Sequence, residues 1–391
     1  MDYDYTDSRL TIKLCGRIDS ANAVSAEDEI FGLIGTCNPA GIVLDAKELE
    51  YISSAGLRVV LKIKKKITET EIINASSEVY EVFQMTGFCD IIDIKKAMRE
   101  ISVEGCEKIG AGAHGTVYRL DGDTIVKVYN DKEPLSSIEH EIEYARSAFV
   151  LGVPTAIPFD VVRCGDSYGA VFELIEATTL SDAMNRHPEN YADYSRKYTE
   201  LIQTLHSTEG DTSRLSDIRE HYHQWAEDMR KFLTEKEITV LHDIVASVPD
   251  RKTLVHGDIH PNNLMLQGNE LVIIDMAAIT YGHPVFDYAG MALSHVMSGA
   301  GGADMTKRII GIDYPVALKL WDDLIKADYG GRGEDELARI KEVLTGFGWV
   351  KYSVAPAVNK NQNPRITEMV IRNAKTHFLP GAGKLIGAVD F

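Results

Sequence analysis

His256-Gly257-Asp258-Ile259-His260-Pro261-Asn262-Asn263, followed by Ile273-Ile274-Asp275, is the stretch on which the reading of this chain turns. An Asp is followed by an Asn five residues on, and by a second Asp twelve beyond that. Leu254-Val255 precedes the first acid and Leu271-Val272-Ile273-Ile274 the second, so both emerge from apolar, strand-like runs. An unpaired buried carboxylate is costly, so acids at strand ends belong to sites more often than to cores. Phosphoryl transfer needs this inventory: Asp258 to orient an attacking hydroxyl, and oxygen donors on Asn263 and Asp275 for magnesium. Asp287, in Val285-Phe286-Asp287-Tyr288-Ala289, reads as a brace for these loops. His256 and His260 read the same way, because no third ligand at zinc spacing accompanies them.

The rest of a nucleotide site is expected upstream. Gly110-Ala111-Gly112-Ala113-His114-Gly115-Thr116-Val117 fits G-x-G-x-x-G-x-V, a pattern that alone also marks dinucleotide sites. A dinucleotide loop opens into a helix. Here Thr116 to Leu120 continues as a strand, turns at Asp121-Gly122-Asp123 and returns as Thr124 to Tyr129. That pattern predicts a β-hairpin over the phosphates of ATP, contacted by Gly110, Gly112, Gly115 and Val117. Lys127, in the returning strand, is placed to reach those phosphates. Its carboxylate partner is sought on the helix containing Glu139, Glu141 and Glu143, with Glu141 preferred and Glu143 second. Gly169 to Ile175 reads as the apolar strand where the chain crosses between two lobes.

Composition sets the frame. At 391 residues, 45% hydrophobic and 26% charged, the chain predicts two or three globular domains. A formal charge of -18 argues against nucleic-acid or anionic-membrane binding. No apolar run approaches the roughly 18–20 residues that span a bilayer, and the acidic N-terminus lacks signal-peptide features, so a cytoplasmic protein is expected. Five scattered cysteines, none in C-x-x-C spacing, read as reduced thiols.

Residues 8–100 alternate strand and helix signals, from Leu10-Thr11-Ile12-Lys13-Leu14 through a helix at Ala21 to Ile34, capped by Asp19 or Ser20, to a last helix from Glu78 to Gly87. They predict a small α/β domain at 1–100, with the nucleotide-binding part at 101–391, divided into an N-lobe near 106–173 and a C-lobe near 176–391. Pro356 to Pro364, rich in Asn, reads as a loop. Ser53 or Ser54 is a natural N-cap for the helix through Lys66.

Two resemblances follow from these motifs. From about Cys106 onward the chain resembles the aminoglycoside phosphotransferase branch of the protein-kinase-like fold, whose H-G-D-x-H-x-x-N form stands at His256, Gly257, Asp258, His260 and Asn263. Protein kinases carry H-R-D and D-F-G, where this chain has His-Gly-Asp and Asp275-Met276-Ala277. The resemblance implies an α+β two-lobed kinase-like fold and a small-molecule hydroxyl acceptor, aminoglycoside-, sugar- or amino-alcohol-like. Gly16-Arg17-Ile18-Asp19-Ser20-Ala21-Asn22-Ala23 and Tyr51-Ile52-Ser53-Ser54-Ala55-Gly56-Leu57-Arg58 resemble a STAS domain of the anti-sigma-factor-antagonist type. That resemblance implies a protein partner and puts Ser54 at the position phosphorylated in such domains. Ser53 stands where many relatives carry Asp. The expected activity is therefore ATP- and Mg2+-dependent phosphotransfer to a small molecule. Its rivals are a signalling protein kinase acting on Ser54 or a partner STAS serine, and a pseudokinase scaffold.

Overall fold

The computed structural model describes residues 1–112, 115–130, 133–359 and 363–391, which form two compact units, Met1–Ile101 and Ser102–Phe391. In the first, β2 (Arg9–Ile18) buries Leu10, Ile12 and Leu14 at the two-residue period of a strand. It pairs antiparallel with β1 (Tyr3–Thr6) and parallel with β3 (Gly41–Ile52). The sheet continues in parallel through β4 (Glu69–Ala75) to β5 (Asp93–Lys96). Parallel neighbours require long crossovers, supplied by α1 (Ala23–Cys37), α2 (Ser54–Lys66) and α3 (Ser77–Met85). A short strand, β6 (Arg99–Glu100), ends the unit.

Helix α2 buries Leu57, Val60 and Ile63 against the sheet and leaves Arg58, Lys62, Lys65 and Lys66 exposed. The Ser53 hydroxyl accepts from the N–H groups of Ala55 and Gly56, so Ser53 is the cap and Ser54 the exposed first helical residue. At Gly56 a Cβ would stand 2.7 Å from Ile52 Cγ1 and 2.8 Å from the Ile18 carbonyl oxygen. That carbonyl cannot rotate away. Gly56→Ala is therefore expected to lose more by overpacking than helix propensity returns, lowering this unit's stability by about 1–2 kcal/mol. Denaturant unfolding checks it, and an unchanged midpoint would contradict the steric argument. Helix α1 begins later than its sequence suggests, with Asn22 rather than Asp19 or Ser20 in the cap position. Asp19 is tied up locally instead: its carboxylate accepts from the Ala21 N–H, and its own N–H donates to Asn22 Oδ1.

The second unit opens with β7 (Lys108–Ala111), β8 (Gly115–Arg119) and β9 (Thr124–Tyr129), then α4 (Leu135–Val150), β10 (Pro158–Cys164) and β11 (Ser167–Glu173). These strands lie in the order β10-β11-β9-β8-β7, each antiparallel to its neighbour. β12 (Thr178–Thr179) leads into a helical lobe: α5 (Leu180–Arg186), α6 (Tyr191–Ser207), α7 (Ile218–Asp228) and α8 (Glu235–Ala246). Two small pairings interrupt the helices, β13 (Thr253–Val255) with β16 (Thr280–Gly282), and β14 (Leu264–Gln267) with β15 (Glu270–Ile273). Then come α9 (Val285–Met291), α10 (Ala303–Ile310), α11 (Tyr314–Tyr329), α12 (Glu334–Val358) and α13 (Pro364–Asn373). Phe286 of α9 meets Phe347 of α12 edge to face in the lobe's core.

The loop expected at Pro356 to Pro364 is corrected in its first part. Pro356 lies inside α12, which runs to Val358; residues 360–362 lie outside the described residues. The proline lacks the N–H that would bond the Tyr352 carbonyl, and the helix ends two residues later. Among the described residues no helix is long and apolar enough to cross a membrane. All five cysteines are free thiols.

Candidate active site

The hairpin β8–β9 forces the approach of backbone to backbone that the glycine pattern anticipates. A Cβ at Gly115 would lie 2.2 Å from the Val128 carbonyl oxygen, so no side chain fits there. Gly110 sits in β7, and Gly112 follows it with its N–H donating to the Gly115 carbonyl. Ala113 and His114 lie outside the described residues. Lys127 pairs opposite Val117 in the hairpin, and both line a cleft of about 530 Å³. The ammonium of Lys127 donates to Glu141 Oε1 at 2.7 Å and to Asp275 Oδ1 at 3.1 Å. Glu141, on α4 and only 5% exposed, also accepts from the Tyr129 hydroxyl at 2.7 Å. Burial opposes the charge on Lys127, but Glu141 and Asp275 outweigh it and raise the pKa. Of the three acids on α4, Glu141 is the partner, and Glu143 is not.

The catalytic-loop candidates are held from several sides. Gly257 has φ +82°, a left-handed conformation, and a Cβ there would meet the Ala278 carbonyl oxygen at 2.9 Å. The buried carboxylate of Asp287 accepts from the N–H groups of His256 (2.9 Å) and Gly257 (2.6 Å) and bonds His206 Nε2 at 3.0 Å. Burial disfavours ionised Asp287, yet His206 and these backbone donors hold its pKa below the usual carboxylate range. Asp258 donates its N–H to His256 Nδ1 at 3.2 Å, and its carbonyl accepts from Asn263 Nδ2 at 2.9 Å. Its carboxylate is 65% exposed, with His260 Nε2 at 3.7 Å. Burial of the loop works against that charge, but His260 and Lys351 keep the carboxyl well below its ordinary pKa.

Asp275 follows β15 at φ +64°, a conformation that strains a residue other than glycine and so marks a position held for a purpose. With Asn263 Nδ2 committed to Asp258, the amide oxygen is the atom left to ligate. One amide oxygen and one carboxylate form the sparse hard-oxygen set that suits Mg2+, which takes its other ligands from phosphate and water. Among the described residues no group of three His, Cys, Asp or Glu side chains gathers around a point in metal-binding geometry. Asn263 and Asp275 line the same cleft as Lys127 and Glu141, and apolar walls come from Ile109, Phe172, Met265 and Met276. Ser54 belongs to the first unit.

Sequence reasoning missed Tyr129, His206 and Lys351. The first two act across the fold on Glu141 and Asp287, and no local pattern announces them. Lys351 carries one faint signal, a charge inside an apolar helical run, Phe347-Gly348-Trp349-Val350.

Three histidines of this lobe are buried and held neutral. Burial lowers His256, pushes His283 to about 4, and takes His295 to about 3. A depressed histidine binds its proton more readily when unfolded, so its stabilisation is complete above about pH 6.5 and is lost as pH falls from there toward the folded value. The lobe is expected to lose about 2–4 kcal/mol between pH 7.5 and 5. Urea unfolding at the two pH values checks this, and equal stabilities would contradict it.

The model of the phosphotransferase enzyme family matches residues 105–320, more than half of the chain, and the chain belongs to that family. It is accordingly an enzyme of the class that transfers phosphoryl groups to hydroxyls. Residues 2–101 match the STAS domain. BtrV of Bordetella bronchiseptica, provisionally described as an anti-sigma factor antagonist, is 36% identical over 95 residues, which cover 23% of this chain and 81% of BtrV. Similar solved structures include ADP-bound aminoglycoside phosphotransferase APH(2'')-Ib, 15% identical with a TM-score of 0.47, covering 78% of this chain and 98% of that one. A choline/ethanolamine kinase family protein from Mesorhizobium loti is 14% identical with a TM-score of 0.47, covering 72% of this chain and 91% of that one.

Proposed function

We propose that the chain is an ATP- and Mg2+-dependent phosphotransferase acting on a hydroxyl of a small molecule, aminoglycoside-, sugar- or amino-alcohol-like, with the STAS unit as a regulatory or assembly module. The observation that carries this reading is the convergence in one cleft of the glycine-rich hairpin, the Lys127–Glu141 pair and the oxygens of Asn263 and Asp275. Bound Mg·ATP supplies the transferable group together with a cation that neutralises its charge. Gly110, Gly112, Gly115 and Val117 cover the nucleotide, and Lys127, steadied by Glu141, fixes its phosphates. Asn263 and Asp275 hold the metal. Asp258 orients the acceptor hydroxyl and takes its proton. The protein contributes positioning and charge, with no covalent intermediate of its own.

Screening hydroxylated metabolites and aminoglycosides for acceptor-stimulated ADP release is the test. A true acceptor is expected to raise ADP release at least about 10-fold over the rate with water, and chelating the divalent metal is expected to abolish it. Release that survives chelation would remove Mg2+ from the mechanism. A second reading, a protein kinase directed at Ser54, draws on the exposure of that hydroxyl at the start of α2. Labelled ATP with peptide mapping separates the two, since label on Ser54 without any small-molecule acceptor would favour the second.

A further inference from the structure

The peptide joining Gly257 to Asp258 is held at both ends. Its N–H donates to His256 Nδ1, and its carbonyl, on Gly257, accepts from the ammonium of Lys351, 94 residues further along the chain on α12. Among the described residues that carbonyl is the one hydrogen-bond acceptor Lys351 has. The lysine is partly buried, and it reaches the loop past Gly290 of α9, where a Cβ would stand 2.9 Å from Nζ. Placing an ammonium against a single carbonyl is a poor way to stabilise a helix packing, because its remaining donors lose water without gaining partners. Burial accordingly pulls Lys351 below the ordinary lysine pKa, and the charges that face it, Asp258 and Asp287, oppose the shift. Asp258 belongs to the loop that Lys351 touches, and Asp287, on α9, accepts from that loop's backbone N–H groups.

We propose that Lys351 is a positioning residue for phosphoryl transfer: from α12 it holds the Gly257 carbonyl, sets the rotation of the Gly257–Asp258 peptide, and so aims the Asp258 carboxylate at the acceptor. Gly290 is the other half of the device, since a Cβ there would crowd the ammonium, the flexible end of Lys351, and push it off the Gly257 carbonyl. The inference rests on the assignment of Asp258 as the base. Small displacements of a reacting group lower rate far more than they lower substrate binding.

Hydrolysis of Mg·ATP by the full chain, with water as acceptor, is the assay, run beside calorimetric binding of Mg·ATP and thermal unfolding. Lys351→Met is expected to lower kcat about 10–100-fold, with nucleotide Kd within about twofold of wild type and an unfolding midpoint that does not fall. Gly290→Ala is expected to lower kcat by itself, yet to add no more than about twofold in the Lys351→Met background, because the ammonium it displaces is already gone. The inference is overturned if Lys351→Met turns over at the wild-type rate, or loses nucleotide binding or stability in step with kcat. It is equally overturned if Gly290→Ala is silent alone, or if the two effects multiply. Absence of hydrolysis by wild type, or wild-type hydrolysis by Asp258→Asn, brings down the assignment of Asp258 itself and the role of Lys351 with it.

Discussion

Asp258→Asn is expected to lower kcat by about 1,000-fold or more while leaving Mg·ATP affinity and the unfolding midpoint nearly unchanged. The carboxylate is largely exposed, and the His260 ring nitrogen beside it is 3.7 Å away, so the amide removes little that holds the fold. The loop's own bonds use the backbone of residue 258, through its N–H and carbonyl, and survive the substitution. What disappears is the group proposed as proton acceptor. Steady-state kinetics with the acceptor found by screening decides the matter. A loss smaller than about tenfold, or one matched by weakened nucleotide binding, would show that another group takes the proton.

Lys127→Met is expected to act twice. Loss of the ammonium removes the proposed phosphate contact and should lower kcat/KM for ATP by about 100-fold or more. It also leaves Glu141, 5% exposed, with the Tyr129 hydroxyl as its remaining hydrogen-bond donor among the described residues, a poorly compensated buried charge that costs about 3 kcal/mol. Adding Glu141→Leu to Lys127→Met should restore much of the stability and none of the activity, since apolar groups replace a buried pair without penalty. Unfolding midpoints and kcat/KM of the three proteins form the test. Recovery of activity in the double variant would mean that the phosphates are held elsewhere.

Much of this protein was legible before any coordinates, because its chemistry is carried by short segments. The hairpin around Gly115 and the acids after β13 and β15 are local patterns, and local patterns survive in sequence. The α/β character of the first unit was likewise readable from Leu10, Ile12 and Leu14, alternating as a half-buried strand must. Boundaries were less so. Helix α1 starts at Ala23 because Asp19 and Asn22 bond one another in the preceding loop. Helix α12 runs through Pro356 and stops two residues later, because its neighbours Val354 and Ala357 are packed in the lobe's core and that burial outweighs the one backbone donor the proline lacks.

By itself, then, the sequence determined the two units, the nucleotide-binding pattern, and the identities of Lys127, Asp258, Asn263 and Asp275 as candidates. Only the tertiary structure decided which partners hold them. It chose Glu141 from three acids on one helix, because that side chain alone turns inward to Lys127 and Tyr129. It brought His206 to Asp287 across 81 residues, and Lys351 to Gly257 across 94. The physical reason is the range of the forces. Strand alternation, turns and caps act between neighbours in sequence, whereas a buried charge is satisfied by whatever donor or acceptor the packed lobe delivers to it.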